Sequence, residues 1–350
     1  MKRWWKLIVF GVFFVAAAGL AWGFVQVLSL QPPVQEPNIN TRRAARVYRE
    51  AITFVPMSAY PLKDGVYSAS GAKRVLMMLP DLGTGAWSFA PWMQELRAFE
   101  RHAVAYRNSI GAAPASNAAL EDYEQDARVA IEKTRRGRKI VLLGQGIGAY
   151  FALKIAAERP AWLEGLILVA PYTPRPWNGV QLGVAQFLGQ QIYNSVYSSP
   201  AASTEFWRKN FGNGFVQGGL KNTFLEQYAL KRQPFEFREA LMQSLFDPMP
   251  QLPAWYAALE KAKFPVLHMI ARFDTTNPIG GQRILREDLT KSLGSSYTVA
   301  ILNSGKYISM DWRWKEAASI ISDFLEDLKL KQNFIENEIA LDPLTTIADK

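Results

Sequence analysis

Apolar positions along the chain fall into short unbroken runs separated by longer stretches with helical spacing. Arg74 to Leu79, Val141 to Leu143, Phe264 to Ile270 and Tyr297 to Leu302 show little polar alternation, as expected of strands covered on both faces of a parallel sheet. Ala103 to Tyr106 reads as a further strand. Between these runs, Trp92 to Phe99, Asn117 to Arg135, Gly281 to Leu293 and about Trp312 to Leu330 read as helices. The second of them spaces Leu120, Tyr123, Ala127, Ala130 and Ile131 along one face. The weaker runs Ile52 to Val55 and Val66 to Ser68, separated by Pro61 and Lys63-Asp64-Gly65, predict edge strands and turns. Length alone allows one large domain or two, and the alternation of strand and helix favours one α/β domain.

The most informative stretch is Lys139 to Ala170, in which a buried-type strand meets a Gly-rich turn, an amphipathic helix and a second buried strand. This predicts a βαβ unit. Gly144 and Gly148 flank Gly146 at minus two and plus two. That spacing is the pattern of a nucleophile elbow, a strand-to-helix turn so tight that helix and strand approach only where neighbouring side chains are nearly absent.

On these residues the sequence, over roughly 50–330, resembles the α/β-hydrolase family, whose elbow reads Gly-x-Ser-x-Gly. The resemblance implies a mostly parallel central sheet flanked by helices, with a helical cap inserted at about 172–262. That stretch is rich in aromatics, including Trp177, Phe187 and Trp207, which read as cap core. The departures fall at the reacting positions. Gly146 stands where the family carries its nucleophile, and Pro80-Asp81 stands where it carries His-Gly ahead of the oxyanion loop. Ala271-Arg272-Phe273-Asp274 with Pro278 is similar to the family's Gly-x-x-Asp-x-x-x-Pro, so Asp274 matches the triad acid. Lys306 stands in the position of the catalytic histidine.

A Ser-His-Asp hydrolase needs a hydroxyl or thiol, a base of near-neutral pKa and an acid to orient the base. Only the acid is kept, so the triad positions Gly146, Asp274 and Lys306 are degenerate and no intact catalytic set is expected. Of the two histidines, His268 reads as a core residue within a strand and His102 as a surface residue at a helix-strand junction. Thr84, Thr275, Ser304 and Ser309 fall on loops at the active-site end without an activating motif. Two readings of the remainder stay open. Asp274 and Lys306 form an ion pair holding two loops together, or the N–H groups of Leu82 and Ile147 join Lys306 in a pocket for a bound ligand, with Asp81 and Gln145 beside it. Asp81 argues against a strongly anionic ligand, since its carboxylate is expected to point into the same space.

A reading from another class takes Gly144, Gly146 and Ala149 as a dinucleotide fingerprint. It lacks the acidic residue expected at the end of the next strand, where the chain has Val169-Ala170-Pro171. No cofactor and no metal is expected. The resulting expectation is a non-catalytic binding or scaffold protein of this fold, with a diverged serine-type esterase using relocated groups as the alternative.

Charge and compartment refine this picture. The chain has 40 Lys and Arg against 31 Asp and Glu, a formal +9, but no Arg-rich stripe with interleaved aromatics, so nucleic acid is not an expected partner. An anionic membrane surface or a generally basic soluble face each accounts for the excess. Lys2, Arg3 and Lys6 precede a charge-free run from Leu7 to Leu30, long enough to cross a hydrocarbon layer of roughly 30 Å. Residues 1–30 are therefore expected to form a single transmembrane anchor. A cleaved signal peptide ending at Ala16-Ala17-Ala18 is the rival reading. With the positive end inside, the domain lies on the periplasmic side of a bacterial inner membrane. The chain contains no Cys, so it forms no disulfide. Residues 31–45 read as a Pro-containing linker, 46–331 as the hydrolase-like domain and 332–350 as an acidic tail. The expected partners are the membrane and a protein or small ligand.

Overall fold

The computed structural model describes residues 57–81, 85–107, 119–171, 251–262, 264–272, 274, 279–302, 304, 307–310 and 313–328. Eight strands form one sheet: β1 (Leu62–Lys63), β2 (Val66–Ala69), β3 (Val75–Leu79), β4 (Glu100–Val104), β5 (Ile140–Gln145), β6 (Leu163–Val169), β7 (Val266–Ala271) and β8 (Tyr297–Leu302). Their order is β1-β2-β4-β3-β5-β6-β7-β8. The β1–β2 and β2–β4 pairs are antiparallel, and from β4 onward every neighbour is parallel. The α-helices among the described residues are α1 (Ala90–Glu95), α2 (Leu120–Arg135), α3 (Ile147–Ala157), α4 (Leu252–Ala258), α5 (Ile279–Leu293) and α6 (Trp314–Asp327).

Strands buried on both faces explain the unbroken apolar runs, because alternate side chains feed two separate cores. Met77, Leu79 and Leu142 point into one core together with α2, α3 and α5, whereas Leu76, Met78 and Leu143 point into the other with α1 and α6. The helical face read from the sequence is the buried one, for Leu120, Tyr123, Ala127, Ala130 and Ile131 all lie in the first core. Leu252, Tyr256 and Leu259 also join that core, so the C-terminal end of the aromatic-rich stretch is part of the main domain. Trp255 packs edge-on against Tyr150 of α3 at 4.6 Å between ring centroids.

Several boundaries differ from the sequence reading. Strand β4 starts at Glu100, not Ala103, because its polar residues are satisfied within the fold. The Arg101 guanidinium donates to the carbonyls of Met93 and Ser70. His102 is buried, not superficial: its ring contacts the Ser68 hydroxyl at 2.9 Å and the Glu100 carboxylate at 2.8 Å. Burial lowers its pKa despite that carboxylate. Helix α1 spans Ala90–Glu95 instead of 92–99, and α6 closes at Asp327, with Leu328 in the left-handed region.

His268 is a core residue, as its place within a strand implies. Its Nδ1 lies 2.7 Å from the Tyr297 hydroxyl and its Nε2 3.2 Å from Gln282 Oε1, while the Gln282 amide donates to the Pro171 carbonyl. A glutamine oxygen can only accept, so the ring carries its proton on Nε2 and accepts from Tyr297. Burial pushes its pKa down to about 3.

Among the described residues no helix is long and apolar enough to cross a membrane, and the run Leu7 to Leu30 lies outside them. The linker, residues 172–250 of the expected cap and the acidic tail lie outside them too.

Candidate functional site

The parallel strands end along one edge of the sheet, where Pro80-Asp81 follows β3, Gln145-Gly146 closes β5, Asp274 follows β7 and Ser304 follows β8. Ligands of open α/β sheets bind at this carboxyl edge. At its centre the chain turns from β5 into α3 through Gly146, at φ 57° and ψ −118°. A side chain held in this region costs about 1–3 kcal/mol, which glycine does not incur. The glycines two positions away serve a different need. A Cβ on Gly144 would lie 2.2 Å from the Gly148 carbonyl oxygen, and one on Gly148 would lie 1.9 Å from the Leu79 carbonyl oxygen. Backbone therefore fills the space on both sides, and the small-x-Gly-x-small spacing is what lets α3 begin directly against β3 and β5.

The space in front of Gly146 is filled by Asp81. A Cβ built on Gly146 would lie 2.6 Å from both Cγ and Oδ2 of Asp81. The Ile147 N–H points to Asp81 Oδ1 in a long contact of 3.5 Å. Asp81 is 1% exposed, and its backbone carbonyl accepts the Gly85 N–H at 2.8 Å. A carboxylate of the chain itself thus lies against the N–H of the residue that follows the elbow, in the place where the resemblance implies a pocket for an anion.

Gln145 is fully buried, and its side-chain oxygen accepts the Ser309 hydroxyl at 2.8 Å. That bond ties the elbow to the turn Ile308–Met310 and engages one of the hydroxyls that the sequence offers at this end. Ser304 is buried, and its backbone N–H donates to the Leu302 carbonyl at 2.8 Å. Asp274 is buried as well, with its N–H toward the Ala271 carbonyl at 3.3 Å. Tyr106, two residues beyond β4, is fully buried beside Tyr123 and Phe151. Burial, reinforced by the charges of Asp126 and Asp81, pushes its hydroxyl pKa well up.

The structure thus brings Asp81, Gln145, Gly146 and Ile147 together, and it places Asp274 along the same edge. Leu82, Lys306, Thr84 and Thr275 lie outside the described residues. The bond between Ser309 and Gln145 has no sequence signal, since the two residues are 164 positions apart. Among the described residues no group of three or more His, Asp or Glu is arranged to hold a metal ion. Strand β5 occupies the middle of an eight-stranded sheet and is fifth in chain order, unlike the opening strand expected of a dinucleotide fingerprint.

Comparison with known proteins gives a consistent picture of the fold. The chain is 23% identical over 258 residues to the biotin biosynthesis bifunctional protein BioHC of Cellvibrio japonicus, covering 73% of this chain. It spans about half the length of that relative, 48%. Among solved structures it resembles a thermophilic esterase from Thermogutta terrifontis, with a TM-score of 0.59 and 16% identity over 79% of this chain and all of the esterase. It also resembles a bromoperoxidase from Bacillus anthracis, with a TM-score of 0.60 and 13% identity over 79% of this chain and 99% of that one. At these identities the structural likeness speaks for the fold alone. The sequence profile of the alpha/beta hydrolase family matches residues 76–311, most of the chain, and the chain belongs to that family.

Proposed function

We propose that this protein is a membrane-anchored, extracytoplasmic member of the family that binds a ligand or protein partner without turning it over. The observation that carries the reading is the filled elbow. Gly146 offers no hydroxyl, and the Asp81 carboxylate takes up the space in which a nucleophile's side chain would begin. Acyl transfer at an elbow uses the N–H after the nucleophile to stabilise a developing oxyanion, and a fixed carboxylate against that N–H opposes such charge. Neither histidine supplies a base: His268 is held neutral in the core by Tyr297 and Gln282, and His102 is bonded into the β2–β4 side of the sheet. The Ser309 hydroxyl is committed to Gln145.

The compartment rests on sequence: the charge-free run Leu7 to Leu30 behind Lys2, Arg3 and Lys6 supports a single-pass anchor in a bacterial inner membrane, with the domain in the periplasm. The partner is the membrane together with a protein or small ligand, and no nucleic acid. The test is treatment of the full chain with a fluorophosphonate probe beside an assay of p-nitrophenyl esters. No labelling and no turnover above background are expected. Stoichiometric labelling of any Ser or Thr would overturn the reading in favour of a hydrolase with relocated groups.

A further inference from the structure

The opposite edge of the sheet, where the parallel strands begin, carries a corner of different character. Helix α2 ends on Arg135, and the chain reverses through Arg136 and Gly137, both at positive φ, before entering β5 after Lys139. Helix α3 ends nearby, with Arg159 also at positive φ just before β6. The two strand starts are joined by the Ile140 N–H, which donates to the Trp162 carbonyl at 3.0 Å. The Arg135 guanidinium lies over the half-buried Trp162 ring, 5.6 Å from its centroid. Arg136, Lys139 and Arg159 are all exposed.

The acids around this corner are already engaged. Glu132 pairs with Arg135, Glu158 with Arg128, Glu100 with Arg138, and Glu164 with Arg74. Arg136, Lys139 and Arg159 have no acidic partner among the described residues. Arg136 and Arg159 both stand at helix ends in the left-handed conformation. Glycine is the usual choice there, whereas here arginine is held in the less favourable conformation and its side chain projects outward.

We infer that the corner formed by Arg136, Lys139, Arg159 and the Arg135–Trp162 stack is a docking surface for the headgroups of an anionic phospholipid bilayer. Basic side chains next to an anionic leaflet are attracted through the surface potential, and tryptophan favours the headgroup level. The inference rests on the proposed membrane tether. Fully extended, the expected linker of residues 31–45 would reach up to about 50 Å, and a domain of this size is about 50 Å across. A tether of that reach leaves the domain free to choose its membrane-facing side, and the unneutralised corner decides the choice. It also places the carboxyl edge with Asp81 and Gly146 on the side away from the lipid, open to a partner from the periplasm.

The chain has no cysteine, so Ala161→Cys, at an exposed position beside Trp162, gives a unique fluorophore site in the full-length protein. Glu121→Cys, at the other end of α2 and about 20 Å away, serves as the control. Each labelled protein is reconstituted into vesicles of phosphatidylcholine alone or with phosphatidylglycerol, and quenching by neutral acrylamide is measured. The label at 161 should become several-fold less accessible in the anionic vesicles only, and the label at 121 should not. Raising salt to about 1 M shortens the Debye length to about 3 Å and should restore quenching. Each cation replaced should weaken the contact about fivefold, so Arg136→Glu, Lys139→Glu and Arg159→Glu together should abolish it. Equal quenching at 161 in both vesicle types, or equal protection at 121 and 161, would overturn the inference. Protection at 161 by a soluble polyanion without vesicles would overturn the lipid assignment. Failure to co-float with neutral vesicles would instead count against the tether, and the corner would still be read from recruitment to anionic vesicles at low salt.

Discussion

The Asp81 carboxylate lies where the side chain of residue 146 would begin, with Cγ and Oδ2 each 2.6 Å from the position of a Cβ on Gly146. The two residues are therefore a matched pair. A side chain at 146 and a carboxylate at 81 compete for one volume, and the Asp81 backbone is itself engaged, its carbonyl accepting the Gly85 N–H. The elbow conformation, φ 57° and ψ −118°, is present although residue 146 carries no side chain.

Replacing Gly146 with Ser should consequently destabilise the domain without creating an esterase. The backbone strain is about 1–3 kcal/mol, and displacement of Asp81 adds to it. In a domain of this size each kcal/mol lowers the melting temperature by about 2–4 °C, so a drop of several degrees is expected. Asp81→Ala placed on top of Gly146→Ser should recover part of the loss, because the second change removes the clash and leaves only the strain. Thermal melts of the singles and the double measure this coupling. A Gly146→Ser protein melting with the parent would show that residue 146 is not held as described.

The flanking glycines separate close approach from backbone conformation. Gly148→Ala puts a methyl group 1.9 Å from the Leu79 carbonyl oxygen, which can move only with the sheet, and a loss above about 4 kcal/mol or failure to fold is expected. Gly137 has φ 80° but nothing within 4 Å of its Cβ position, so Gly137→Ala should cost only the left-handed penalty of about 1–2 kcal/mol. Denaturant midpoints for the two variants test the contrast. Similar losses at both sites would mean that α3 does not press on β3 as the structure shows.

What could be read from the sequence was set by short-range pattern. The elbow, the buried face of α2 and the whole of β8 follow from spacing within a few residues, because burial on a helix or strand repeats with a fixed period. The start of β4 escaped because Glu100, Arg101 and His102 break the apolar pattern, and their partners Arg138, Met93, Ser70 and Ser68 are set by the sheet. For the same reason His102 read as superficial while the fold buries it. Asp81 could be placed near the pocket from its loop, but its seat against Gly146 depends on the Gly85 turn. The link from Gln282 to Pro171 spans 111 positions and leaves no local mark.

His268 should make the protein acid-sensitive. Folded, it titrates at about 3 against 6.5 for the free side chain, so between these values the unfolded chain binds a proton that the folded chain excludes. Its contribution to stability is intact above pH 6.5 and is lost as pH falls toward 3, by up to about 1.4 kcal/mol per pH unit. His102, also lowered by burial, acts in the same direction. His268→Gln should lower stability at pH 7 by about 1–3 kcal/mol, since Tyr297 and Gln282 lose their partner. It should also flatten the slope between pH 6.5 and 5, a window above the ordinary carboxylate range. Urea midpoints across that window for the parent and the variant are the measurement. An unchanged slope would show that His268 is not the buried neutral ring that loses stability on acidification.

Association with the membrane should survive conditions that strip peripheral proteins. The run Leu7 to Leu30 contains no charge, and a helix over it is long enough for a hydrocarbon layer of roughly 30 Å. In the proposed topology Lys2, Arg3 and Lys6 would hold its start on the cytoplasmic side. The full chain should therefore remain with the membrane pellet after an alkaline carbonate wash, which releases proteins held only by charge. In spheroplasts, external protease should cut the domain while an epitope at residue 1 stays protected. The basic corner around Arg136 and Lys139 does not confuse the result, because an electrostatic contact is lost under the wash and a spanning helix is not. A soluble form beginning near residue 19 would show cleavage after Ala16-Ala17-Ala18 and would release the domain from the bilayer.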